Sequence, residues 1–220
     1  MAQTFAQLIR DHQAEWRAYT EHAFVHQLAT AALPPACFRH YLEQDYLFLI
    51  QFARAWGLAV YKSRDLDEIR QGLESLKAIV EVEMGLHIAY CRQWGIAPET
   101  LDAMPESRAT LAYTRFVLDA GMRGDLLDLH VALAPCIVGY GEIARRIAAD
   151  RTTRTDGNPY GDWIAMYAGA DYQALVAAEI AWLDARLAPL DPSRFSAISS
   201  LFRDATRLEA DFWQMGLDLA

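Results

Sequence analysis

Seven side chains of this sequence carry the chemistry a small-heterocycle hydrolase would need. They are a thiol (Cys136), two carboxyls (Asp45 and Glu209), an imidazole (His87) and three phenols (Tyr113, Tyr140 and Tyr167). A thiolate can add to an electron-poor ring, a carboxyl can move a proton to or from a ring nitrogen, and phenols can orient both. Each lies on a segment with helical periodicity, and they are scattered from residue 45 to residue 209. They can act on one molecule only if the helices pack as a bundle.

Taken singly, none is diagnostic. Cys136 sits in the apolar run Val131 to Val138, directly after Pro135. A buried, inert thiol is the usual fate of a helical cysteine. A proline inside a helix, however, deletes a backbone hydrogen bond and kinks the axis, and Tyr140 follows one turn on. Glu209 precedes Phe212 and Trp213 by three and four residues, so carboxylate and aromatics can share a face; alone it reads slightly better as a solvated glutamate. Asp45 stands amid aromatics in Tyr41-Leu-Glu-Gln-Asp-Tyr-Leu-Phe48, where burial demands a specific partner. Tyr113, Tyr167 and His87 would each be read as packing residues.

The elements that must position these groups are helices. Leu8, Ile9, His12, Trp16 and Tyr19 fall at spacings of three and four, which predicts one helix over 5–29 with a single apolar face. Leu33-Pro34-Pro35 breaks it, and helices are expected over 37–61 and 68–94, the latter stopped by Gly95-Ile96-Ala97-Pro98. Further helices are read over 108–120, from a cap at Asp125 to Asp150, over 163–168, and over 172–187 with Asp171 as cap. The last starts at Asp191-Pro192, a capping residue followed by proline at the first helical position, and runs to about Leu217. Arg151 to Asp162 is the longest irregular stretch and a plausible pocket rim. No alternating run bounded by hairpin turns occurs, so the expectation is one all-α domain spanning 1–220.

Composition narrows the functions further. With 53% apolar and 22% charged residues in 220, the chain has the balance of a soluble globular protein. Its formal charge of −9 and dispersed basic residues argue against a nucleic-acid partner, since phosphate binding needs concentrated Lys and Arg. The apolar stretch Tyr46 to Tyr61 contains Gln51 and Arg54 and falls short of a membrane span, and the N-terminus lacks the pattern of a signal peptide. Three widely spaced cysteines with no C-x-x-C fit a reducing cytoplasm, without disulfides or a zinc site.

Two other chemistries fail on spacing. Gly139-Tyr-Gly-Glu-Ile-Ala144 fits the G-x-G-x-x-A form of a dinucleotide-binding turn, but a polar loop and more helix follow where a second strand is required. Those glycines read better as places where a neighbouring helix approaches closely. A di-iron bundle needs Glu-x-x-His on two helices, and the sequence has none; Glu83 and His87 are four apart, with no second such pair. No metal site and no cofactor is expected, although a lone axial histidine for haem is not excluded by spacing.

Together, these residues resemble the thiaminase II (TenA) family. The resemblance rests on Phe38-Arg-His-Tyr-Leu-Glu-Gln-Asp-Tyr-Leu-Phe48, Leu133-Ala-Pro-Cys-Ile-Val-Gly-Tyr-Gly-Glu-Ile143, Trp163-Ile-Ala-Met-Tyr167 and Glu209-Ala-Asp-Phe-Trp213, in family order, the cysteine block being the most specific. It implies a haem-oxygenase-like helical fold, a homotetramer, and hydrolysis of small aminopyrimidines in thiamin salvage. By position it implies that Cys136 is the nucleophile, Glu209 the acid–base at the pyrimidine, and Asp45 the holder of a ring nitrogen and amino group. Tyr140 and Tyr167 match hydroxyls that orient the thiol and the leaving group, Tyr113 and Phe212 the aromatic sandwich, and His87 a polar group of the pocket. Phe48 stands where some members carry tyrosine, so any polar role there is lost. The alternatives are a haem-binding protein, an oxidative cofactor-synthesis protein, or a non-catalytic regulator on the same fold.

Overall fold

The computed structural model describes residues 3–154 and 156–220; Thr155, within the expected rim loop, lies outside the described residues, as do residues 1–2. All regular structure among the described residues is helical. The first segment corrects the expectation of one long helix: it is α1 (Phe5–Asp11), α2 (Gln13–Thr20) and α3 (Ala23–Ala29). His12 leaves helical geometry at φ −123°, ψ 39°. The Thr20 hydroxyl donates to the Trp16 carbonyl, and the His22 ring accepts from the Phe24 N–H. Such local side-chain bonds compete with the helical ladder. The apolar spacing carries straight through both breaks, so periodicity alone could not reveal them.

The remaining boundaries follow proline, glycine and caps more closely. Pro35 opens the 28-residue α4 (Pro35–Lys62), and Asp65 accepts from the Asp67 and Glu68 N–H groups to start α5 (Leu66–Lys77). A π-turn, Ala78–Glu83, joins α5 to α6 (Met84–Gln93), which ends at Gly95 with φ +70°. A short helix absent from the sequence reading, α7 (Pro98–Leu101), precedes α8 (Arg108–Arg123). The last helix of this part extends three residues beyond expectation because Gly121 lies within it, where a Cβ would come 2.8 Å from both Leu58 and Leu129.

Asp125 accepts from the Leu127 and Asp128 N–H groups at the head of α9 (Leu126–Ala134). A second π-turn, Pro135–Gly139, leads into α10 (Tyr140–Ala149). After α11 (Gly161–Ala168), α12 (Ala170–Leu187) starts from Gly169; Asp171 is inside its first turn, where its charge complements the helix dipole, rather than at the cap. Asp191 accepts from the Ser193 and Arg194 N–H groups ahead of α13 (Pro192–Asp218).

The chain divides into two compact units. One comprises the residues up to Leu33 with His130–Gln214; the other comprises Pro34–Leu129 with Met215–Ala220. In the first, Trp16 stacks on Phe202 at 5.6 Å and Phe24 on Trp213 at 4.9 Å between ring centroids, and the Trp16 indole N–H donates to Glu142. The loop after α10 is tied to the end of α3: the Arg154 N–H donates to the Ala29 carbonyl and the Asn158 amide to that of Leu28. Leu126–Ala149 has the length and apolarity of a membrane span, where the sequence reading expected none, yet its apolar 18-residue window is 94% buried inside the protein. In the second unit, α4 packs on α5, α6 and α8.

The two glycines of the dinucleotide look-alike serve close packing. A Cβ on Gly139 would lie 2.3 Å from the Tyr19 ring, and one on Gly141 would lie 2.6 Å from Val176 of α12. Gly139→Ala is therefore expected to destabilise the chain by roughly 1–3 kcal/mol through overpacking. A lowered urea midpoint at unchanged slope would show this, and an unchanged midpoint would remove the close-approach explanation.

Candidate active site

Cys136 is carried by the second π-turn. Proline at 135 has no N–H to complete an α-helical bond, and its ring would press on the carbonyl four residues back. The sequence reading expected a kink; the chain instead opens into one wide turn, a feature found frequently at functional sites. The Cys136 thiol donates to the Leu133 carbonyl at 3.0 Å. Of the three free cysteines, Cys37 and Cys91 are buried, whereas Cys136 is half-buried. Burial pushes the Cys91 thiol up to about 12, which leaves it unreactive at neutral pH.

The aromatic groups expected around the thiol gather in the same unit. The Tyr140 ring lies 5.1 Å from that of Tyr167 and 5.2 Å from that of Trp213, and Trp163 packs 4.7 Å from Tyr167. On α13, Glu209 is 1% exposed and Phe212 is 2% exposed, one turn apart on a buried face. The solvated-glutamate reading of Glu209 is thereby overturned: the helix turns this carboxyl inward along with its aromatic neighbours.

In the second unit, α4, α6 and α8 bring together Asp45, Phe48, His87 and Tyr113. Gln44 fixes α4 to the head of α8, accepting from the Ser107 N–H and the Thr110 hydroxyl at 2.8 Å each and donating to the Pro105 carbonyl. That link sets Phe48 against Tyr113, with ring centroids 5.3 Å apart. Asp45 Oδ2 lies 3.4 Å from His87 Nδ1, and His87 Nε2 bonds the Leu42 carbonyl at 2.9 Å.

Protonation of this pair follows from its partners. A carbonyl can only accept, so Nε2 carries a hydrogen, and burial holds the His87 pKa below its ordinary 6.5. The neutral ring therefore turns a lone pair toward Asp45. Burial pushes the Asp45 carboxyl up from 3.8 to about 7, partly opposed by a hydrogen bond from Tyr41. Burial thus favours the uncharged form of each member of this 3.4 Å contact.

Glu83, half-buried, feels the charge of Asp45 and was not among the candidates drawn from the sequence. It ends the first π-turn one turn before His87, and burial together with the charge of Asp45 raises it to about 7. Its signal was present in the spacing of Glu83 and His87, weighed there only against a metal motif.

Helical architecture among all the described residues defines a haem-oxygenase-like helical protein. A solved domain with a heme oxygenase-like fold from Shewanella denitrificans superposes with a TM-score of 0.75 at 12% identity, covering 97% of this chain and 92% of that one. Residues 9–219 match the model of the TENA/THI-4/PQQC family, and the chain belongs to that family. It is 44% identical to an uncharacterized Haemophilus influenzae protein, over 97% of this chain and 99% of that protein. It is 35% identical to an aminopyrimidine aminohydrolase of Halalkalibacterium halodurans, over 96% and 93%. A crystal structure described as a TenA family transcription regulator, from a Silicibacter species, matches with a TM-score of 0.90 and 47% identity, over 97% and 96%.

Proposed function

We propose that this chain is an aminopyrimidine aminohydrolase, converting 4-amino-5-aminomethyl-2-methylpyrimidine to the 5-hydroxymethyl compound with release of ammonia, and cleaving thiamin to hydroxymethylpyrimidine and thiazole. Glu209 protonates a ring nitrogen, and the Cys136 thiolate adds to ring carbon C6. The electron pair so placed in the ring expels ammonia, or the thiazole, from the exocyclic methylene. Water adds to that methylene, the sulfur leaves C6 and the ring regains aromaticity. Asp45 holds a ring nitrogen and the 4-amino group, with Tyr113, Phe48 and Phe212 as aromatic surfaces and His87 as the partner of Asp45. Tyr140 and Tyr167 orient the thiol and the departing group.

The observation that carries this reading is the half-buried Cys136 thiol on its π-turn, in the same compact unit as the Tyr140–Tyr167 phenols, in a chain related to a named aminohydrolase. A regulator has no use for such a nucleophile. The chemistry needs a free thiol and so a reducing compartment, in keeping with a cytoplasmic protein. A homotetramer is proposed as well: Leu66, Leu73, Val80, Val82 and Leu86 are each at least half exposed on α5, the first π-turn and α6, an apolar surface suited to a second copy.

Incubation with the aminomethylpyrimidine and with thiamin in parallel, following hydroxymethylpyrimidine and ammonia, tests the proposal. Release of hydroxymethylpyrimidine supports it. Tight pyrimidine binding without product points to the regulator, and a Soret band on adding haem with no pyrimidine turnover points to the haem-binding alternative.

A further inference from the structure

The π-turn that carries Cys136 is braced from two sides by hydroxyls of residues outside the proposed reaction. Tyr19 of α2 donates to the Pro135 carbonyl at 3.1 Å. Tyr172 of α12 donates to the Ile137 carbonyl at 3.1 Å and reaches that of Cys136 at 3.4 Å. Three consecutive carbonyls, with the cysteine at their centre, therefore receive donors from neighbouring helices. Tyr19 is fully buried, its ring lying where a side chain at 139 would be, so Gly139 is what admits it. Gln173, beside Tyr172, donates to the Gly141 and Tyr167 carbonyls and fixes α12 to α10 and α11.

A carbonyl that accepts from outside its helix is drawn away from the axis and competes less well for its own N–H partner, which favours a widened turn over a regular one. Proline 135 removes a donor at the start of the turn, and the two phenols take up carbonyls along it. A regular α-helix advances 100° per residue and a π-turn less, so closing the turn would rotate the sulfur relative to everything that follows it.

We propose that Tyr19 and Tyr172 are positioning residues that hold this π-turn open and so set the direction of the Cys136 sulfur. The inference rests on the reading of Cys136 as nucleophile, but its test includes a readout that does not. Tyr19→Phe and Tyr172→Phe keep both rings and delete only the hydroxyls. Alkylation of the intact chain by iodoacetamide, mapped to Cys136 by peptide mass, reads the thiol directly; buried Cys37 and Cys91 are internal references. Steady-state turnover of the aminomethylpyrimidine reads the reaction.

The double variant is expected to alkylate at Cys136 about tenfold more slowly, with kcat lowered roughly ten- to a hundredfold and KM within about twofold of wild type. A cysteine rate or a kcat within twofold of wild type in a folded double variant overturns the proposal, even if its melting temperature falls. Should the double variant not fold, Tyr172→Phe alone is held to the same outcomes. If wild type does not turn over the pyrimidine, the hydrolase reading fails by itself, and the alkylation rates alone decide whether the two tyrosines position the sulfur.

Discussion

Cys136→Ser is expected to lose at least roughly 10³-fold in kcat while binding the aminomethylpyrimidine within a few-fold of wild type. The asymmetry comes from the chemistry of the two atoms. A thiol ionises near pH 8.5, so a small fraction is nucleophilic at neutral pH and a nearby base or donor can raise it. A serine hydroxyl offers no comparable anion, and adding it to an aromatic carbon has no equivalent low-energy path. The exchange is nevertheless mild for the fold, since a hydroxyl can replace the thiol as donor to the Leu133 carbonyl. Calorimetric binding beside an ammonia assay separates the two effects, and ordinary ammonia release by Cys136→Ser would remove the nucleophile assignment.

Asp45→Ala is expected to lose binding and turnover together. A carboxyl facing a ring nitrogen and an adjacent amino group makes two hydrogen bonds, and its loss leaves two buried partners unsatisfied at about 1–3 kcal/mol each, so kcat/KM should fall by roughly 10²- to 10⁴-fold. Donation to the ring requires a proton on Asp45, which the folded chain retains up to about pH 7. The wild-type kcat/KM should accordingly decline above that pH.

The same aspartate makes a stability prediction of definite sign. Unfolded, it titrates near its ordinary 3.8; folded, near 7. Between those values the folded chain binds more protons, so stability falls as pH rises through the window, and the cost is fully present above 7. His87 works in the opposite sense, because burial lowers its pKa and acid below 6.5 favours the unfolded chain. Urea titrations at pH 5 and 7.5 should show Asp45→Ala losing less stability than wild type on going to the higher pH, by an amount on the order of a few kcal/mol. An identical pH response in the two would remove the buried-acid assignment.

Much of the helical order was readable because its signals are local. Asp125 and Asp191 cap helices through bonds that span two or three residues, and Gly95 and Pro35 punctuate the chain by their own backbone geometry. What failed were features whose cause is short-range but invisible to periodicity, such as the breaks at His12 and His22, or whose cause lies elsewhere in the chain. Asp171 looked like a cap, yet Gly169 starts that helix, and the kink expected at Pro135 is a π-turn held by phenols 116 and 35–36 residues away.

The site divides along the same line. Helical period and capping residues by themselves determined an all-α chain, and the resemblance of its sequence blocks to one family singled out Cys136, Glu209 and Asp45 as candidates, because side-chain chemistry and helical period are properties of the sequence. Only the tertiary structure decided which of those groups are sealed from water. Burial raises the Asp45 acid and turns Glu209 inward, Glu83 feels the charge of Asp45, and Cys136 stays half-buried where the other two thiols are sealed. Desolvation and like-charge repulsion depend on what packs around a group, and that is settled only when distant segments meet.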